Sequence, residues 1–488
     1  MDSSTPESSD RKNEKDSEPD VYHAEPRECR RSIVVKRPST SVSRLNQIPI
    51  ELLEHHELNQ LIQHGLPTNY NFEIHKTIWR IKCNGANRIL LQFPEGLIRF
   101  GPIIVDIIEN YFNITDCIHK IQCITMGDLT YGACCIDDYL ASSMGCDLVV
   151  HYAHSCLVPI DQLKDDVKFL YVFVDIKFDL DHLEKCIEQN FAPDDCHIAL
   201  ASTIQFVSSV HELSKRLKSK MYSITLPQSR PLTSGEVLGC TAPKLSQDIT
   251  CIIFVCDGRF HLEALMIANP TVKAFRYDPY TRKLTRESYK FDLMLAQRKN
   301  AILQATRVMQ ESGTFGLILG TLGRQGNERV YDMITDQLKN NTNCKYVQVL
   351  LPEVTQDILQ SFKGIDAWVQ VACPRLSIDW GDFFETPLLN PYEFSQSLAY
   401  YMRQKVNIAS LKSVESKSKL DLSDLSDMNS YPMDYYAKAS TGPWTPNHSC
   451  TGNAVCSCSS EQNEFRKAKS KYHHDYVAEE EESAICDH

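Results

Sequence analysis

Three stretches of this chain repeat one plan, and the interval between them sets what it can fold into. "RILLQFPEGLIRFGPIIVDIIENYF" reads as a buried strand, a Pro-Glu-Gly turn, and a helix with Ile103, Ile104, Ile107 and Ile108 on one side. "HIALASTIQFVSSVHELSKRL" holds a strand from Ile198 to Phe206 and then a helix, and "FGLILGTLGRQGNERVYDMITDQL" repeats the plan from Phe315. A period of about 110 residues is too long for a solenoid and suits three small α/β domains, so the chain reads as an internal triplication. Four further apolar runs, "CDLVVHYAHS", "FLYVFVDI", "ITCIIFVCDGRFH" and "DAWVQVACPR", lack polar alternation. Strands covered on both faces have that pattern, so the expected class is α/β, with three related domains, each a mostly parallel sheet flanked by helices. Ligands in such sheets bind beyond the carboxyl ends of the strands.

The remaining chain divides by composition. Residues 1–45 are rich in Ser, Asp, Glu and Lys and read as a disordered tail, because few large apolar side chains are there to offset the entropy of ordering. The three domains fall at 46–165, opening on the helical lead-in "NQIPIELLEHHELNQLIQHGLP", then 166–285 and 286–400. A loop and docking segment, ending in "YPMDYYAKASTGPWTPNHS", covers 401–449, and 450–488 reads as a second disordered tail with an acidic run. Lys plus Arg number 51 against 63 Asp plus Glu, a net charge of −12 without a basic stripe, which argues against nucleic acid as a partner. No apolar run approaches the roughly 18 residues of a membrane span and the start has no signal-peptide h-region, so a cytoplasmic protein is expected. Nineteen cysteines in such a chain read as reduced thiols, most of them acting as small core hydrophobes.

A few positions stand out. In "YGACCIDD" Cys134 and Cys135 follow Tyr131, Gly132 and Ala133, and Asp137 and Asp138 come next; acidic residues opening a helix are favoured by its dipole. Cys240 in "EVLGCTAP" has similar small neighbours, and Cys373 in "VQVACPRLS" ends an apolar run ahead of Pro374. Each repeat thus supplies one cysteine at a loop or strand end. Three thiolates could hold an iron–sulfur cluster with one iron free for substrate, or a zinc ion with a water. Asp257, Arg259 and His261 in "CDGRFHLEA" follow a buried strand, where they could meet a carboxylate or ribose or form an Arg–Asp pair that holds a loop. Arg324, Gln325 and Gly326 in "GTLGRQGN" could cradle an anion or make a tight turn; the Gly-Lys-Ser/Thr ending of a P-loop is missing. Alternation along "HYAHSC" sends His151 and His154 to opposite faces, so two locally hydrogen-bonded histidines are expected there rather than a shared metal. Cys450, Cys456 and Cys458 read as free thiols.

The motifs "GDLTYGACCIDD", "HYAHSCLVPID", "STIQFV", "LGCTAP", "DGRFHLEALMIANP", "YDPY", "LILGTLGRQGN", "VACPRLSIDW" and "PMDYYA…GPWT", in this order, resemble the diphthamide biosynthesis proteins, over roughly Asn46 to His448. The resemblance implies a radical enzyme whose three α/β domains each give one cysteine, here Cys134, Cys240 and Cys373, to a central [4Fe–4S] cluster. Cys134 is preferred to Cys135 because more distant relatives have a single cysteine after the same Tyr-Gly-Ala. The fourth iron would chelate S-adenosylmethionine, with Asp257, Arg259, His261, Arg324, Gln325 and Gly326 as candidate contacts. Cleavage toward the methionine γ-carbon would give a 3-amino-3-carboxypropyl radical, which adds to the imidazole C2 of one histidine in translation elongation factor 2. Partners implied are a paralogous second subunit in a heterodimer and a small iron-binding electron donor. Two other readings stay open: a structural subunit whose partner carries the reactive cluster, and a zinc or thiol-redox binding protein.

Overall fold

Parallel strands cannot be joined by hairpins, so each apolar run here must be followed by a crossover that returns the chain to the same edge of its sheet. The computed structural model, which describes residues 48–115, 120–158, 162–410 and 428–448, is built in that way three times. In the first unit β1 (Tyr70–Asn71) precedes β2 (Arg88–Gln92), β3 (Gln122–Thr125), β4 (Leu148–Tyr152) and β5 (Lys168–Val172). The last four form a parallel sheet of order β3-β2-β4-β5, while β1 pairs antiparallel with β6 (Asp175–Ile176). The helix Gly101–Thr115 buries Ile104, Ile107 and Ile108, three of the four expected isoleucines. The second unit contains β7 (His197–Ser202), β8 (Ser223–Thr225), β9 (Cys251–Val255), β10 (Lys273–Asp278) and β11 (Lys283–Glu287), in the order β11-β10-β9-β7-β8. Only the β10–β11 pair is antiparallel there. The third unit holds β12 (Thr314–Gly320), β13 (Lys345–Leu351), β14 (Ala367–Val371) and β15 (Leu388–Leu389), all parallel, in the order β13-β12-β14-β15.

These three sheets share one strand order: the first strand of each sheet in the chain is flanked by the second and the third, and the fourth lies outside the third. The mixed α/β class with mostly parallel, helix-flanked sheets is therefore as the apolar runs predict. In β4, β9 and β14 every residue is buried, which is why these runs show no alternation.

Two details differ from expectation. The strand expected to reach Phe206 stops at Ser202, and Ile204–Phe206 form a 3-10 turn into the helix Val207–Ser219. Ser202 exchanges backbone hydrogen bonds with Gly235 and Val237 instead of continuing the ladder, a tertiary choice that an unbroken apolar run does not reveal. The run "FLYVFVDI" is likewise cut, because Val174 takes a positive φ of 56° and turns the chain back onto β1.

The segment 428–448 is bound through a buried polar network. Arg298 and Glu393 pair bidentately (Nε to Oε1 2.6 Å, Nη2 to Oε2 2.8 Å) with side chains at 1% and 0% exposure. They lock the helix Phe291–Gln310 to the helix Pro391–Ser410, and the Tyr431 hydroxyl donates to Glu393 at 2.7 Å. Among the described residues no helix is long and apolar enough to cross a membrane.

Candidate functional site

The three singled-out cysteines come from three different sheets. Cys134 lies in the 3-10 turn Ala133–Cys135 between β3 and β4. Cys240 sits in a tight turn between β8 and β9, closed by paired backbone bonds between Leu238 and Thr241 (3.0 and 3.3 Å). Cys373 is the N-cap of the helix Pro374–Trp380, directly after β14. The element after Cys240 is the strand β9, whereas helices follow Cys134 and Cys373. Cys134 and Cys240 both follow the second strand of their sheet, and Cys373 follows the third.

These thiols lie close enough to act on one another electrostatically. Cys134 and Cys240 pack in a single apolar cluster with Ala133, Leu157, Leu238, Tyr435 and Tyr436. A hydrogen bond with Cys135, then burial, then the nearby Cys135, Cys240 and Cys373 push the Cys134 thiol well above its ordinary value. Burial and Cys373 push Cys240 up to about 12, and burial also raises Cys373. Tyr436 is raised by its own burial and then by Cys134, Cys240 and Cys373, so its hydroxyl lies in the field of all three. Thiols that oppose one another's ionisation in an apolar wall become thiolates only when cationic metal compensates them. Among the described residues no group of three His, Cys, Asp or Glu side chains could hold a metal ion. A zinc ion would draw all its thiolates onto one atom, whereas a cluster takes each thiolate on its own iron. Soft, half-buried sulfur donors fit an iron–sulfur group.

The "GTLGRQGN" loop is a clamp on the Cys134 turn. The Arg324 amide donates to the Cys134 carbonyl at 2.8 Å, and Gln325 Nε2 donates to Cys135 Sγ at 3.4 Å. Arg324 Nε and Nη2 bind the two oxygens of Asp138, whose side chain is fully buried, and the guanidinium stacks 4.2 Å over Tyr139. Burial pushes the Asp138 carboxyl up, and the bonds from Arg324 and the Lys164 amide outweigh it and hold it below the usual carboxylate value. Gly323 has a φ of +53°, and a Cβ there would fall 2.6 Å from the Cys135 carbonyl carbon. Asp137 caps the helix Asp138–Ser143 through the Leu140 amide (2.8 Å), the helix-start role expected for one of the two acids.

Arg324 and Gly326 also line a cavity of about 440 Å³ with Gly320, Thr321, Asn327 and Tyr436. It opens at the carboxyl end of β12 and the start of the helix Glu328–Asn341, and Tyr436, which lines it, also packs with Cys134 and Cys240. Gln325 is turned to Cys135 instead. Asp257 and Arg259 do not line this cavity, nor do they pair: Arg259 reaches Glu287 at 3.3 Å and the Ser288 carbonyl at 2.9 Å. His261 points inward beside His154 and Arg375, and burial lowers it to about 4. His151 and His154 are corrected as well. Their rings lie 5.2 Å apart rather than on opposite faces, because β4 ends at Tyr152 and Ala153 turns with a φ of +63°. His151 is locally bonded as expected, through Nδ1 to Gln92 Oε1 at 3.0 Å. Cys450, Cys456 and Cys458 lie outside the described residues.

Sequence reasoning missed Arg375, which is buried and donates to Gly239 O, Phe260 O, Glu263 and Asp379. The signal was present, since a cationic side chain four positions after a strand covered on both faces must find partners close to the core. Tyr436 was read only as part of a docking segment, yet its amide bonds Thr241 Oγ1 at 3.1 Å and the Tyr435 amide bonds the Cys240 carbonyl at 3.3 Å.

Three mostly parallel sheets of one strand order, with Cys134, Cys240 and Cys373 each in a loop of a different unit, define a class of α/β protein built by repetition. A family model described as "Putative diphthamide synthesis protein" matches residues 93–407, and the chain belongs to that family. Relatives named "2-(3-amino-3-carboxypropyl)histidine synthase subunit 1" include one from Nematostella vectensis, 50% identical over 404 residues that make up 83% of this chain and 77% of that one. The Homo sapiens relative of the same name is 45% identical over 403 residues, 83% of each chain. Among solved structures, Dph2 from Pyrococcus horikoshii matches with a TM-score of 0.54 at 25% identity, covering 67% of this chain and 91% of that one. The same protein solved with a 4Fe–4S cluster agrees in fold, with a TM-score of 0.52 at 24% identity and the same coverage.

Proposed function

We propose that the chain catalyses the first step of diphthamide synthesis, transferring the 3-amino-3-carboxypropyl group of S-adenosylmethionine to the imidazole C2 of a histidine in translation elongation factor 2. The observation that carries this reading is the meeting of Cys134, Cys240 and Cys373, one from each sheet, beside Tyr436. Relatives named as subunit 1 of the histidine synthase support the reaction and imply a second subunit in the working enzyme.

Cys134, Cys240 and Cys373 are the residues that would hold a [4Fe–4S] cluster, leaving one iron without a protein ligand. When bound, the cluster supplies the electron that cleaves the sulfur–carbon bond of the cosubstrate. The chain supplies the rest. The apolar wall of Leu157, Leu238 and Tyr435 keeps water from the reacting centre. The cavity beside Tyr436 accommodates the cosubstrate, and the N-terminus of the helix Glu328–Asn341 offers its positive end to a carboxylate there. Arg329 donates to the carbonyls of Thr445, Pro446 and His448 and so ties the 428–448 segment down as one wall of that cavity. Orientation is the chain's main contribution, because the sulfur–carbon bond presented to the open iron decides which one breaks.

The test is anaerobic purification with the partner subunit, dithionite reduction, and incubation with S-adenosylmethionine and unmodified elongation factor 2. Methylthioadenosine and a carboxypropyl adduct on one histidine are expected by mass spectrometry, both lost in Cys134→Ala and both retained in Cys135→Ala. A brown, reducible chain that gives neither product identifies a structural subunit, and a colourless zinc-loaded one ends the cluster reading.

A further inference from the structure

Cys240 and Cys373 lie on loops from different sheets, and one side chain joins them. Arg375 is 2% exposed. Its Nη1 donates to the carbonyls of Gly239 (3.1 Å) and Phe260 (2.8 Å), its Nη2 to Glu263 (2.8 Å), and its Nε to Asp379 (2.9 Å). Gly239 is the residue before Cys240, and Asp379 shares with Arg375 the helix that Cys373 caps. The Phe260 ring packs under the guanidinium at 4.2 Å and so close to Gly239 that a Cβ there would fall 2.0 Å from it. The Gly239 carbonyl thus adjoins Cys240 and Asp379 lies on the helix that begins at Cys373, while Phe260 and Glu263 belong to a third element, the helix Phe260–Ala268, whose first ring packs against Gly239.

We propose that Arg375 is a positioning residue that fixes Cys240 relative to Cys373, so that the two thiols hold the separation a cluster requires; this rests on the function proposed above. A planar guanidinium offers five donors in a rigid fork, whereas an ammonium on a flexible stem cannot address two carbonyls and two carboxylates at once. A buried ion pair by itself contributes little net stability compared with apolar packing of equal volume, so stability alone is a weak account of this arrangement.

The experiment uses the full chain and compares wild type, Arg375→Lys and Glu263→Gln. Hydrogen exchange read by mass spectrometry before cluster assembly is followed by iron content and the electron paramagnetic resonance of the reduced cluster after anaerobic reconstitution. Arg375→Lys is expected to speed exchange about tenfold at 238–242 and 373–380 while the three sheets stay protected, and to lower iron per chain several-fold. Glu263→Gln, which leaves both carbonyl bonds in place, is expected to keep wild-type exchange at 238–242. Unchanged exchange at the two loops overturns the proposal. So does a uniform rise over all sheets, or a variant with loosened loops that carries wild-type iron and spectrum. A wild-type chain that takes up no cluster sinks the function reading instead, and the exchange data then still decide whether Arg375 couples the loops.

Discussion

Asp138 is a fully buried carboxylate whose partner stands 186 residues away, and its cost is met by two bonds from Arg324 and one from the Lys164 amide. Removing one member of such a pair leaves a buried charge unpaired, so Arg324→Gln is expected to lower stability by about 3 kcal/mol in urea unfolding at pH 7. Adding Asp138→Asn to that chain should recover most of the loss, since the charge is then gone. The pH dependence has a definite sign. Asp138 is held below its ordinary value of 3.8 in the folded chain, so its contribution is full above about pH 4 and disappears as pH falls through the folded value. Wild type and Arg324→Gln should therefore differ at pH 7 and converge below pH 4; an equal gap at both pH values would count against the pairing. At this scale the sequence was half legible. "IDD" reads as a helix start, which Asp137 is, but nothing local says that Asp138 answers an arginine two sheets later.

The loop between β12 and the helix Glu328–Asn341 behaves as a single element that holds the Cys134 turn, and Gly323 is where the two backbones meet. Its φ of +53° costs an L-residue about 1 kcal/mol, and a Cβ would lie 2.6 to 2.7 Å from three backbone atoms of Cys135 that no rotamer change can move. Gly323→Ala is accordingly expected to lower the thermal midpoint by roughly 2–4 °C for each kcal/mol lost, and, on the function proposed above, to lower the iron retained per folded chain after reconstitution. Equal iron per folded chain in the variant would show that the loop does not position the thiol. The elements themselves were readable. β4, β9 and β14 are five-residue runs of buried side chains, and a strand covered on both faces has no other pattern to show. Their ends were not, because Ser202 stops β7 by bonding Gly235 and Val237, and Ala153 turns His154 toward His151. Convergence of Cys134, Cys240 and Cys373 was legible only through family resemblance, since spacings of 106 and 133 residues carry no distance (240 − 134 and 373 − 240).

For the whole molecule, three histidines gathered from two units make stability depend on mildly acidic pH. His151 and His154 come from the end of β4 and His261 from the start of the helix Phe260–Ala268. Burial lowers His154 and His261 to about 4 and His151 well below its ordinary value of 6.5. Hydrogen bonding agrees with neutral rings. Gln92 gives its Nε2 to Met126 Sδ, so its oxygen accepts from His151 Nδ1, while His151 Nε2 and His154 Nδ1 are buried with no partner that a proton could use. The unfolded chain titrates these groups near 6.5 and the folded chain does so lower, so the unfolded state takes protons first as pH falls. Their contribution is thus intact above 6.5 and lost progressively toward 4, at about 1.4 kcal/mol per unit of depression, an upper bound on the order of 3 kcal/mol for a histidine held near 4. Glu236 and Asp137, both raised by burial, act in the opposite sense and soften the lower part of the curve. The urea midpoint is expected to fall most steeply between pH 6.5 and 5, and His154→Asn should flatten that fall while leaving the unfolding free energy at pH 8 within about 1 kcal/mol of wild type. A midpoint that holds level from pH 8 to 5, or a His154→Asn chain as acid-sensitive as wild type, would mean that these imidazoles find a proton acceptor inside the fold and that the acid response belongs to the carboxylates.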